Sequence, residues 1–399
     1  MKEVVIVSGV RTPIGSHGGA FRSITAQELA AQVFKEAVNR AGIDPRIIDD
    51  VILGCIGQQS DAANIGRVAA LMAGVPVNVT GCTIQRNCVS GMMSLSMAYQ
   101  AIQAGDGDVF LCGGTESMST APYCVRGARW GLKLRSTTFI DTLWEGLTDP
   151  VCGMIMGYTA ENLAMLYNIT REEQDKFAIN SHKKAFRATR MGKFRDEILP
   201  VRVSKKVAGQ EVAYEDIVND ECINPSLSKQ KAALYPTVFK KDGTVTPANA
   251  CPLSDGAAAV VIMTAEKAKA LGLQPMAYIR SYAYAGVPPD IMGIGPAYAV
   301  PMALEKTGLK LTDIDLIELN EAFAGQSIAV GIELEEQGWD WNIVNVNGGA
   351  IALGHPVGCT GTRIVVTLMY EMIKRDVKFG LATACVGGGM GGAMIIERK

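Results

Sequence analysis

The feature that most constrains the fold is a strand–helix order that occurs twice along the chain. In residues 4–119, short β-branched runs alternate with amphipathic segments that end at glycines, and the same order returns in residues 277–397. The repeat includes similar local text, AGIDPRIIDDVILG in the first half and TGLKLTDIDLIEL in the second. A repeat of more than about 100 residues indicates two fused α/β halves, because solenoid repeats are much shorter. The alternation also predicts mostly parallel sheets that are covered by helices.

Each half has its own set of predicted elements. In the first half the predicted strands and helices are, in order, Val4–Ser8, Ala26–Ala41 (helix), Val51–Cys55, Asn64–Ala73 (helix), Thr83–Arg86, Ser90–Ala104 (helix) and Val109–Cys112. In the second half they are Ala277–Tyr284, Ala297–Lys306 (helix), Leu316–Leu319, Glu321–Glu336 (helix), Val344–Val346, Gly361–Lys374 (helix), Gly380–Cys385 and Gly392–Glu397.

A charged, irregular stretch interrupts the first half between residues 120 and 247. It includes a helix predicted at Thr170–Met191, which opens with the capping pattern Thr170-Arg-Glu-Glu173. The run CPLSDGAAAVVIM, which starts at Cys251, then returns to the first half as an apolar strand. We therefore predict an N-terminal half at 1–119 plus 248–272, an insertion at 120–247 and a C-terminal half at 273–399.

Composition excludes several classes of function. The net charge of −2 provides no basic field for nucleic acid, and no apolar run reaches the roughly 18 residues of a membrane span. Ten cysteines occur without a C-x-x-C pair, and there are only three histidines, so we expect no metal site. We expect reduced cysteines and a cytoplasmic location, and read most of these thiols as small buried hydrophobes.

Two glycine-rich strand–helix junctions carry residues that can do chemistry. Cys88 precedes the first-half helix at Ser90, where the positive end of a helix favours a thiolate. His355 lies at the corresponding place in the second half, within GGAIALGHPVGCTG, and a Cys–His pair is the usual arrangement for thiol activation. A buried thiol at a tight turn and a core histidine are the structural alternatives. His17 and His182 are expected to face solvent.

Two further positions follow strands of the second half. Cys385 stands two residues before the first of three glycines, Gly387, Gly388 and Gly389, in CVGGG, where free backbone N–H groups can form an oxyanion hole. The alternative is a structural glycine-rich turn. Asn320 begins NEAFA, and its amide can orient water or bind an oxyanion, or cap the helix that follows.

Taken in this order, the motifs C-x-S-G, N-E-A-F, G-H-P-x-G and C-x-G-G-G resemble those of the thiolase family. The resemblance extends along the chain through VRTPIG, GGTESM, GYTAEN, SDGA and MGIGP, and is closest to acetyl-CoA acetyltransferases. It implies a duplicated α/β fold of two βαβαβαββ halves in five α-β-α-β-α layers, with a large insertion in the first half. It also implies an acyltransferase that forms or thiolytically cleaves a 3-ketoacyl-CoA, as in fatty acid degradation, by a ping-pong mechanism.

The resemblance implies a role for each motif residue. Cys88 would carry the acyl group as a thioester, His355 would accept its proton, and Cys385 would remove the α-proton of the second acyl-CoA. Asn320, through a water, would form one oxyanion hole with His355, and the N–H groups of Cys88 and Gly387 would form another. The substrate and CoA contacts would come from Leu147, Ile155, Met156, Phe239, Ala248, Cys251, Ala322 and Phe323.

Some positions depart from the pattern expected of a short-chain thiolase. Val89 and Ile155 stand where Gly or Ala and His are common, and both were expected to alter the acyl pocket. Cys251 replaces a Ser, and Asn224 and Tyr235 replace basic residues near the CoA nucleotide. These changes motivate an alternative, a thiolase for a longer, branched or aromatic 3-ketoacyl-CoA. Cys385 argues against a decarboxylating ketoacyl synthase, and the retained motif set argues against a non-catalytic CoA-binding subunit.

The resemblance also bears on cofactors and partners. It implies no permanently bound cofactor, with coenzyme A and acyl-CoA as substrates, and neither nucleic acid nor a membrane as a partner. A homodimer or homotetramer is expected, to which the 120–247 insertion could contribute contacts. An accessory subunit would fit the absence of basic residues near the nucleotide site.

Overall fold

The computed structural model describes residues 2–134, 136–207 and 210–399. Met1, Arg135, Ala208 and Gly209, which fall within the predicted N-terminal half and insertion, lie outside the described residues. The strands in chain order are β1 (Val4–Arg11), β2 (Gly15–Ser16), β3 (Asp50–Gly54), β4 (Thr80–Ile84), β5 (Val109–Ser117), β6 (Tyr123–Cys124), β7 (Ile140–Asp141), β8 (Val201–Val207), β9 (Gln210–Ile217), β10 (Ser254–Thr264), β11 (Ala277–Gly286), β12 (Leu316–Leu319), β13 (Phe379–Val386) and β14 (Met390–Glu397).

The helices follow the predicted alternation. They are α1 (Ala26–Ala41), α2 (Ile65–Met72), α3 (Ser90–Ala104), α4 (Thr142–Gly146), α5 (Met156–Leu166), α6 (Arg171–Arg190), α7 (Lys229–Ala233), α8 (Ala265–Ala270), α9 (Gly295–Glu305), α10 (Ala324–Glu333), α11 (Ala350–Leu353) and α12 (Val357–Arg375). Within the described ranges, no helix combines the length and the hydrophobicity that a membrane span requires.

The largest sheet joins the two halves edge to edge. Its strand order is β12-β13-β14-β11-β1-β10-β5-β3-β4, so the C-terminal strands lie on one side of β1 and the N-terminal strands on the other. Two residue pairs, Val5 with Tyr278 and Ile6 with Ala277, connect the halves. The prediction of mostly parallel sheets is wrong. Among the strand pairs of the described residues, only β3–β4, β3–β5 and β12–β13 are parallel, because β10 and β14 return beside their neighbours as antiparallel strands.

Three apolar clusters show that five layers stack as predicted. One cluster packs α1 and α2, through residues such as Phe34 and Ile65, on the outer face of the N-terminal strands. A second fills the space between the two halves of the sheet and contains Leu95 of α3 and Ile364 of α12. A third packs α9 and α10 on the outer face of the C-terminal strands. Every residue of β10 is buried, as expected for a strand covered on both faces.

The halves differ at their third strand. In the N-terminal half β4 is a paired strand, whereas the strand predicted at Val344–Val346 is wrong, because only an isolated bridge between Val344 and Ile317 forms there. Asn345 interrupts the extended chain with a φ of 44°. Its side-chain amide accepts a hydrogen bond from the Leu319 N–H at 2.8 Å and donates to the Leu319 carbonyl at 2.9 Å. Beyond the single bridge at Val344, the hydrogen bonds of the Asn345 side chain thus take the place of further backbone pairing.

The stretch predicted as an insertion contains β6–β9 and α4–α7. The helix predicted there is confirmed at Arg171–Arg190, and Thr170 and Glu173 form the expected capping box. α6 packs against the C-terminal half at the Gly-rich segment before α12. A Cβ at Gly348 would lie 2.7 Å from both the Ser181 carbonyl and the Ala185 side chain, so the contact is close.

Candidate active site

Cys88 lies where the chain leaves β4 and enters α3. It occupies a single 3-10 turn, Asn87–Val89, that runs directly into the helix, and its side chain is half-buried. Burial raises the pKa of the Cys88 thiol to about 11, while the backbone N–H groups of Gly387 and of Cys88 itself act in the opposite direction. The resting side chain is therefore a neutral thiol at pH 7, and two N–H groups already point at its sulfur.

Cys385 lies at the other wall of the same site. It is the penultimate residue of β13, and only Val386 separates it from the Gly387–Gly389 turn that leads into β14, so the turn predicted as the structural alternative is present. Its side chain is fully buried. Burial raises the pKa of the Cys385 thiol well above its ordinary value, and the neighbouring thiols of Cys88 and Cys251 raise it further. The thiols of Cys88, Cys251 and Cys385 therefore lie close together in a buried region of low dielectric constant.

Asn87 holds the two cysteine-bearing turns together. Its side-chain Nδ2 donates to the Gly387 carbonyl at 2.7 Å, although the two residues are 300 positions apart. Its backbone has a φ of 42°, in the left-handed region that Asn tolerates better than most residues. The Ser90 hydroxyl fixes the same turn, because it donates to the Asn87 carbonyl and accepts from the Arg86 N–H. These hydrogen bonds fix the Gly387 turn relative to Cys88, so that the Gly387 N–H stays directed at the Cys88 sulfur.

His355 lies immediately before α12 and is almost fully buried. Its Nδ1 is 2.6 Å from the Thr360 hydroxyl, and its Nε2 is 3.4 Å from the Asn320 Nδ2. Burial lowers the pKa of His355 to about 3, and the positive charge of Arg363 lowers it further, so the ring is neutral at rest. Gly354, with a φ of 106°, provides the sharp approach to the histidine.

The helix that follows His355 packs against the helix that follows Cys88. A Cβ at Gly91 of α3 would lie 2.9 Å from the Gly358 carbonyl of α12, so only glycine permits this approach. Val357, two residues after His355, lines the cavity that also contains Cys88. The two Gly-rich junctions therefore meet at one place.

Asn320 follows β12 and is fully buried. Its backbone N–H donates to the Thr383 carbonyl at 2.9 Å, which places it two residues from Cys385 across the strand pair. It does not cap the next helix, because α10 begins only at Ala324 with Phe323 at the N-cap. Its Oδ1 has no partner among the described residues, which leaves an acceptor free inside the site.

A cavity of about 560 Å³ opens at Cys88 and accounts for part of the predicted substrate site. Leu147 and Met156 both line it, and the Met156 N–H donates to the Leu147 carbonyl at 2.9 Å. A Cβ at Gly387 would lie 3.0 Å from the Met156 sulfur, which shows how closely the insertion covers the glycine turn. The cavity is therefore formed jointly by the N-terminal half, the insertion and the Gly387 turn.

Four other predicted contact residues gather around Cys385. The segment at Ala250 pairs with Phe323, and the Cys251 N–H donates to the Ala322 carbonyl at 3.0 Å. The rings of Phe239 and Phe323 meet edge to face with centroids 6.3 Å apart. These side chains, together with Met156, pack in one apolar cluster with Cys385.

Two predicted contact residues lie elsewhere. Ala248 packs in a separate small cluster with Ile179, Leu227 and Ala232. Ile155 is the N-cap of α5, and its neighbour Met156 supplies the cavity wall.

Two expectations about side-chain orientation were wrong. Val89 was expected to shape the acyl pocket, but its fully buried side chain points into the apolar layer between the two halves of the sheet, because α3 begins there. A Cβ at Gly392 would lie 3.0 Å from the Val89 side chain. His182 was expected to face solvent, but it is buried, its Nδ1 accepts from the Asn224 N–H at 3.1 Å, and burial lowers its pKa to about 4. His17 is exposed as predicted.

Sequence reasoning gave no role to Glu116, although it lines the cavity beside Cys88. Its carboxylate accepts the N–H groups of Gly57 and Gly358 at 2.8 Å each, and that of Ile56 at 3.2 Å. Burial raises its pKa, whereas these N–H groups lower it. The GGTESM motif marked the position, but only the fold shows that this carboxylate joins the N-terminal half to the first turn of α12.

Comparison with known families gives two matches that together cover nearly the whole chain. Residues 4–266 match the thiolase N-terminal domain, and residues 273–398 match the thiolase C-terminal domain.

Individual relatives have full-length similarity. The chain is 49% identical to an acetyl-CoA acetyltransferase of Pseudomonas aeruginosa over 100% of both chains, and 48% identical to one of Syntrophomonas wolfei over 99% of both. Among solved structures, the acetyl-CoA acetyltransferase of Bacillus anthracis superposes with a TM-score of 0.95 at 47% identity, covering 100% of this chain and 99% of that one. Human mitochondrial 3-ketoacyl-CoA thiolase in complex with CoA superposes with a TM-score of 0.94 at 42% identity, covering 100% and 98%.

Proposed function

The chain belongs to the thiolase family, and on that premise we propose a two-step acyl transfer that begins at Cys88. The protein is a CoA-dependent acyltransferase of the thiolase type. What we propose is the role of each residue in that activity. The observation that carries the assignment is the Asn87–Gly387 hydrogen bond, which joins the two cysteine-bearing turns and directs the Gly387 N–H at the Cys88 sulfur.

In the first step the Cys88 sulfur attacks the thioester carbonyl of an acyl-CoA. Because the resting thiol has a pKa of about 11, its proton must leave as the new bond forms, and we assign the neutral His355 as the acceptor. The N–H groups of Cys88 and Gly387 stabilise the oxyanion of the tetrahedral intermediate. His355 then returns the proton to the departing CoA thiol, which leaves the acyl group on Cys88.

In the second step the buried Cys385 thiol gives its proton to the neutral His355 and, as a thiolate, accepts an α-proton from a second acyl-CoA. The resulting enolate oxygen is held by the now protonated Nε2 of His355 and by a water on Asn320, whose free Oδ1 and amide lie inside the site. The enolate carbon attacks the Cys88 thioester, a carbon–carbon bond forms as the bond to the Cys88 sulfur breaks, and the departing Cys88 thiolate takes the proton from His355. Cleavage of a 3-ketoacyl-CoA by CoA follows the same steps in reverse.

The substrates we propose are acetyl-CoA and a 3-ketoacyl-CoA, in line with the names of the similar proteins. The hypothesis of a bulkier acyl group loses part of its basis, because Val89 points away from the cavity. CoA would occupy the cavity lined by Leu147 and Met156. The apolar cluster that contains Cys251 and Phe323 would then contact the acyl group.

A direct test is to mix the purified protein with acetyl-CoA and to follow free CoA together with the mass of the Cys88 peptide. The proposal expects one equivalent of CoA released and an acetyl group on Cys88, followed by steady turnover when a 3-ketoacyl-CoA and CoA are supplied. Absence of turnover with every 3-ketoacyl-CoA tested, from acetoacetyl-CoA to aromatic ones, would refute it.

We also propose the quaternary and cellular setting. The large exposed apolar side chains of the insertion, among them Trp130, Leu134 and Phe139, would be covered in a homodimer or homotetramer. All ten cysteines are free thiols, and the chemistry requires two of them to stay reduced, which fits a cytoplasmic location. The division at residues 120, 248 and 273 stays a prediction. Light scattering of the purified protein, with and without an insertion variant such as Trp130→Ser, tests the assembly.

A further inference from the structure

Thr360 lies in the first turn of α12, five residues after His355, and is fully buried. Its hydroxyl oxygen is 2.6 Å from the His355 Nδ1 and 3.1 Å from the Pro356 carbonyl oxygen. These are its two hydrogen-bonding neighbours in the described part of the chain. The Thr360 hydroxyl therefore lies at the ring edge that carries Nδ1, whereas Asn320 lies at the edge that carries Nε2.

The hydroxyl has a single proton, so the two contacts cannot both be donated by Thr360. A carbonyl oxygen can only accept, and the hydroxyl proton satisfies the 3.1 Å contact when it points at Pro356. The 2.6 Å contact then requires a proton on the His355 Nδ1, with the Thr360 oxygen as acceptor.

With the Asn320 amide oriented as in the structure, the opposite side of the ring favours the same proton placement. The His355 Nε2 faces the Nδ2 of Asn320 at 3.4 Å, and an amide nitrogen can only donate. A neutral imidazole has one protonated and one unprotonated nitrogen, and this ring is buried and neutral. Both neighbours are satisfied only if Nδ1 has the proton and Nε2 has the lone pair.

We propose that Thr360 is a positioning residue that fixes His355 in the Nδ1–H tautomer, so that Nε2 is the nitrogen that takes the Cys88 proton. The proposal rests on the acyl-transfer function proposed above. When Nε2 becomes protonated, the Nδ1–H bond to Thr360 stays as it is and gains strength because its donor is now charged. The hydroxyl therefore supports the base both before and after proton transfer without turning.

The matched variants are Thr360→Val, which keeps the shape and removes the hydroxyl, and Thr360→Ser, which keeps the hydroxyl. We expect Thr360→Val to slow acylation of Cys88 by roughly 10- to 100-fold, the loss expected for one hydrogen bond to a charged group, with little change in KM. Thr360→Ser should restore the rate. The acid limb of the variant's acylation–pH profile should also move to lower pH, because the protonated ring loses the acceptor for its Nδ1–H.

The tautomer itself is measured by ¹⁵N NMR of protein that is labelled only at its three histidines. His17→Asn and His182→Asn assign the signals by removing one each. We expect the wild-type His355 to show a protonated Nδ1 and an unprotonated Nε2, and Thr360→Val to show a mixture or the other tautomer.

Two results would overturn the inference. The first is a wild-type His355 with the proton on Nε2, a measurement that does not depend on any variant folding. The second is a folded Thr360→Val protein that keeps the Nδ1–H tautomer and acylates Cys88 within about twofold of the wild type. Absence of an acyl group on Cys88 in the wild type would instead refute the proposed function, so the two failures are distinguishable.

Discussion

The two Gly-rich junctions lie at equivalent places in the repeated frame but are constructed differently. In the N-terminal half the chain passes from the paired strand β4 straight into α3, and Cys88 stands half-buried at the cavity. In the C-terminal half the equivalent strand is only a bridge at Val344, and a longer segment with the short helix α11 precedes His355. The insertion helix α6 covers this second junction, where Ser181 donates to Glu321 and accepts from the Gly349 N–H.

The difference teaches how one duplicated unit can provide two unlike groups. A short, direct junction exposes a thiol to a ligand and leaves its sulfur within reach of the N–H groups of Cys88 and Gly387. A long, covered junction removes an imidazole from water and keeps it neutral, as a proton acceptor must be. The nucleophile is thus at the accessible junction, and the base is at the protected one.

The largest expected effects come from replacing Cys88 or Cys385, and they distinguish the roles of the two thiols. Cys88→Ala should lower turnover by more than about 10⁴-fold and abolish acylation, as removal of a nucleophile does elsewhere. Cys385→Ala should lose a similar amount of turnover yet still release one equivalent of CoA and retain an acyl group on Cys88. Cys82→Ser, at a half-buried thiol outside the cavity, is the control and should stay active. Loss of acylation in Cys385→Ala would contradict the division of roles.

Asn320 tests the oxyanion site of the C-terminal half. Asn320→Ala should reduce kcat by about 10²- to 10³-fold, the usual cost of one oxyanion donor, while acylation of Cys88 changes less than condensation. Single-turnover acylation and steady-state condensation, measured side by side, show the difference. The control is Asn342→Ala at an exposed Asn. Equal losses in both steps would instead place Asn320 in the oxyanion hole that serves acylation, with the N–H groups of Cys88 and Gly387.

Val89 and Met156 test which side chains shape the cavity. Val89→Ala should cost about 2 kcal/mol of unfolding free energy, because it leaves a void in the apolar layer, and should leave the preference among acyl chain lengths unchanged. Met156→Ala should widen the cavity and shift kcat/KM towards longer chains. Chemical denaturation and a panel of 3-ketoacyl-CoA substrates measure both. A changed chain-length preference in Val89→Ala would restore the earlier interpretation of this residue.

The buried His182 of α6, the helix that covers the C-terminal junction, should make the stability of the protein depend on pH. Its pKa is about 4 when folded and about 6.5 when exposed, so below pH 6.5 the unfolded chain binds a proton that the folded protein does not. Stability should therefore fall as the pH drops from 6.5 to 4, by up to about 3 kcal/mol from this residue. His182→Asn, which keeps an acceptor for the Asn224 N–H, should flatten this dependence, whereas His17→Asn should not. Unfolding free energies across this pH range provide the comparison.

Periodicity and motif order predicted much of this molecule because they reflect local physics. Apolar periods placed α1, α3 and α12 to within a few residues, and the repeat implied that the junctions of Cys88 and His355 would meet. Strand direction was wrong, since the return of β10 and β14 depends on tertiary pairing. The side chains of Asn345 and Glu116 escaped prediction because their partners are distant in sequence or lie on another half.

The carboxylate of Glu116 has a consequence for how the protein loses activity. It binds N–H groups of the loop after β3 and of the first turn of α12, so the cavity beside Cys88 and the helix behind His355 depend on the same buried charge. Separation of the two halves would leave that carboxylate, or those N–H groups, without partners. We therefore expect the site to open only when the halves part, so that heat or denaturant inactivates the enzyme in the same cooperative step that unfolds it.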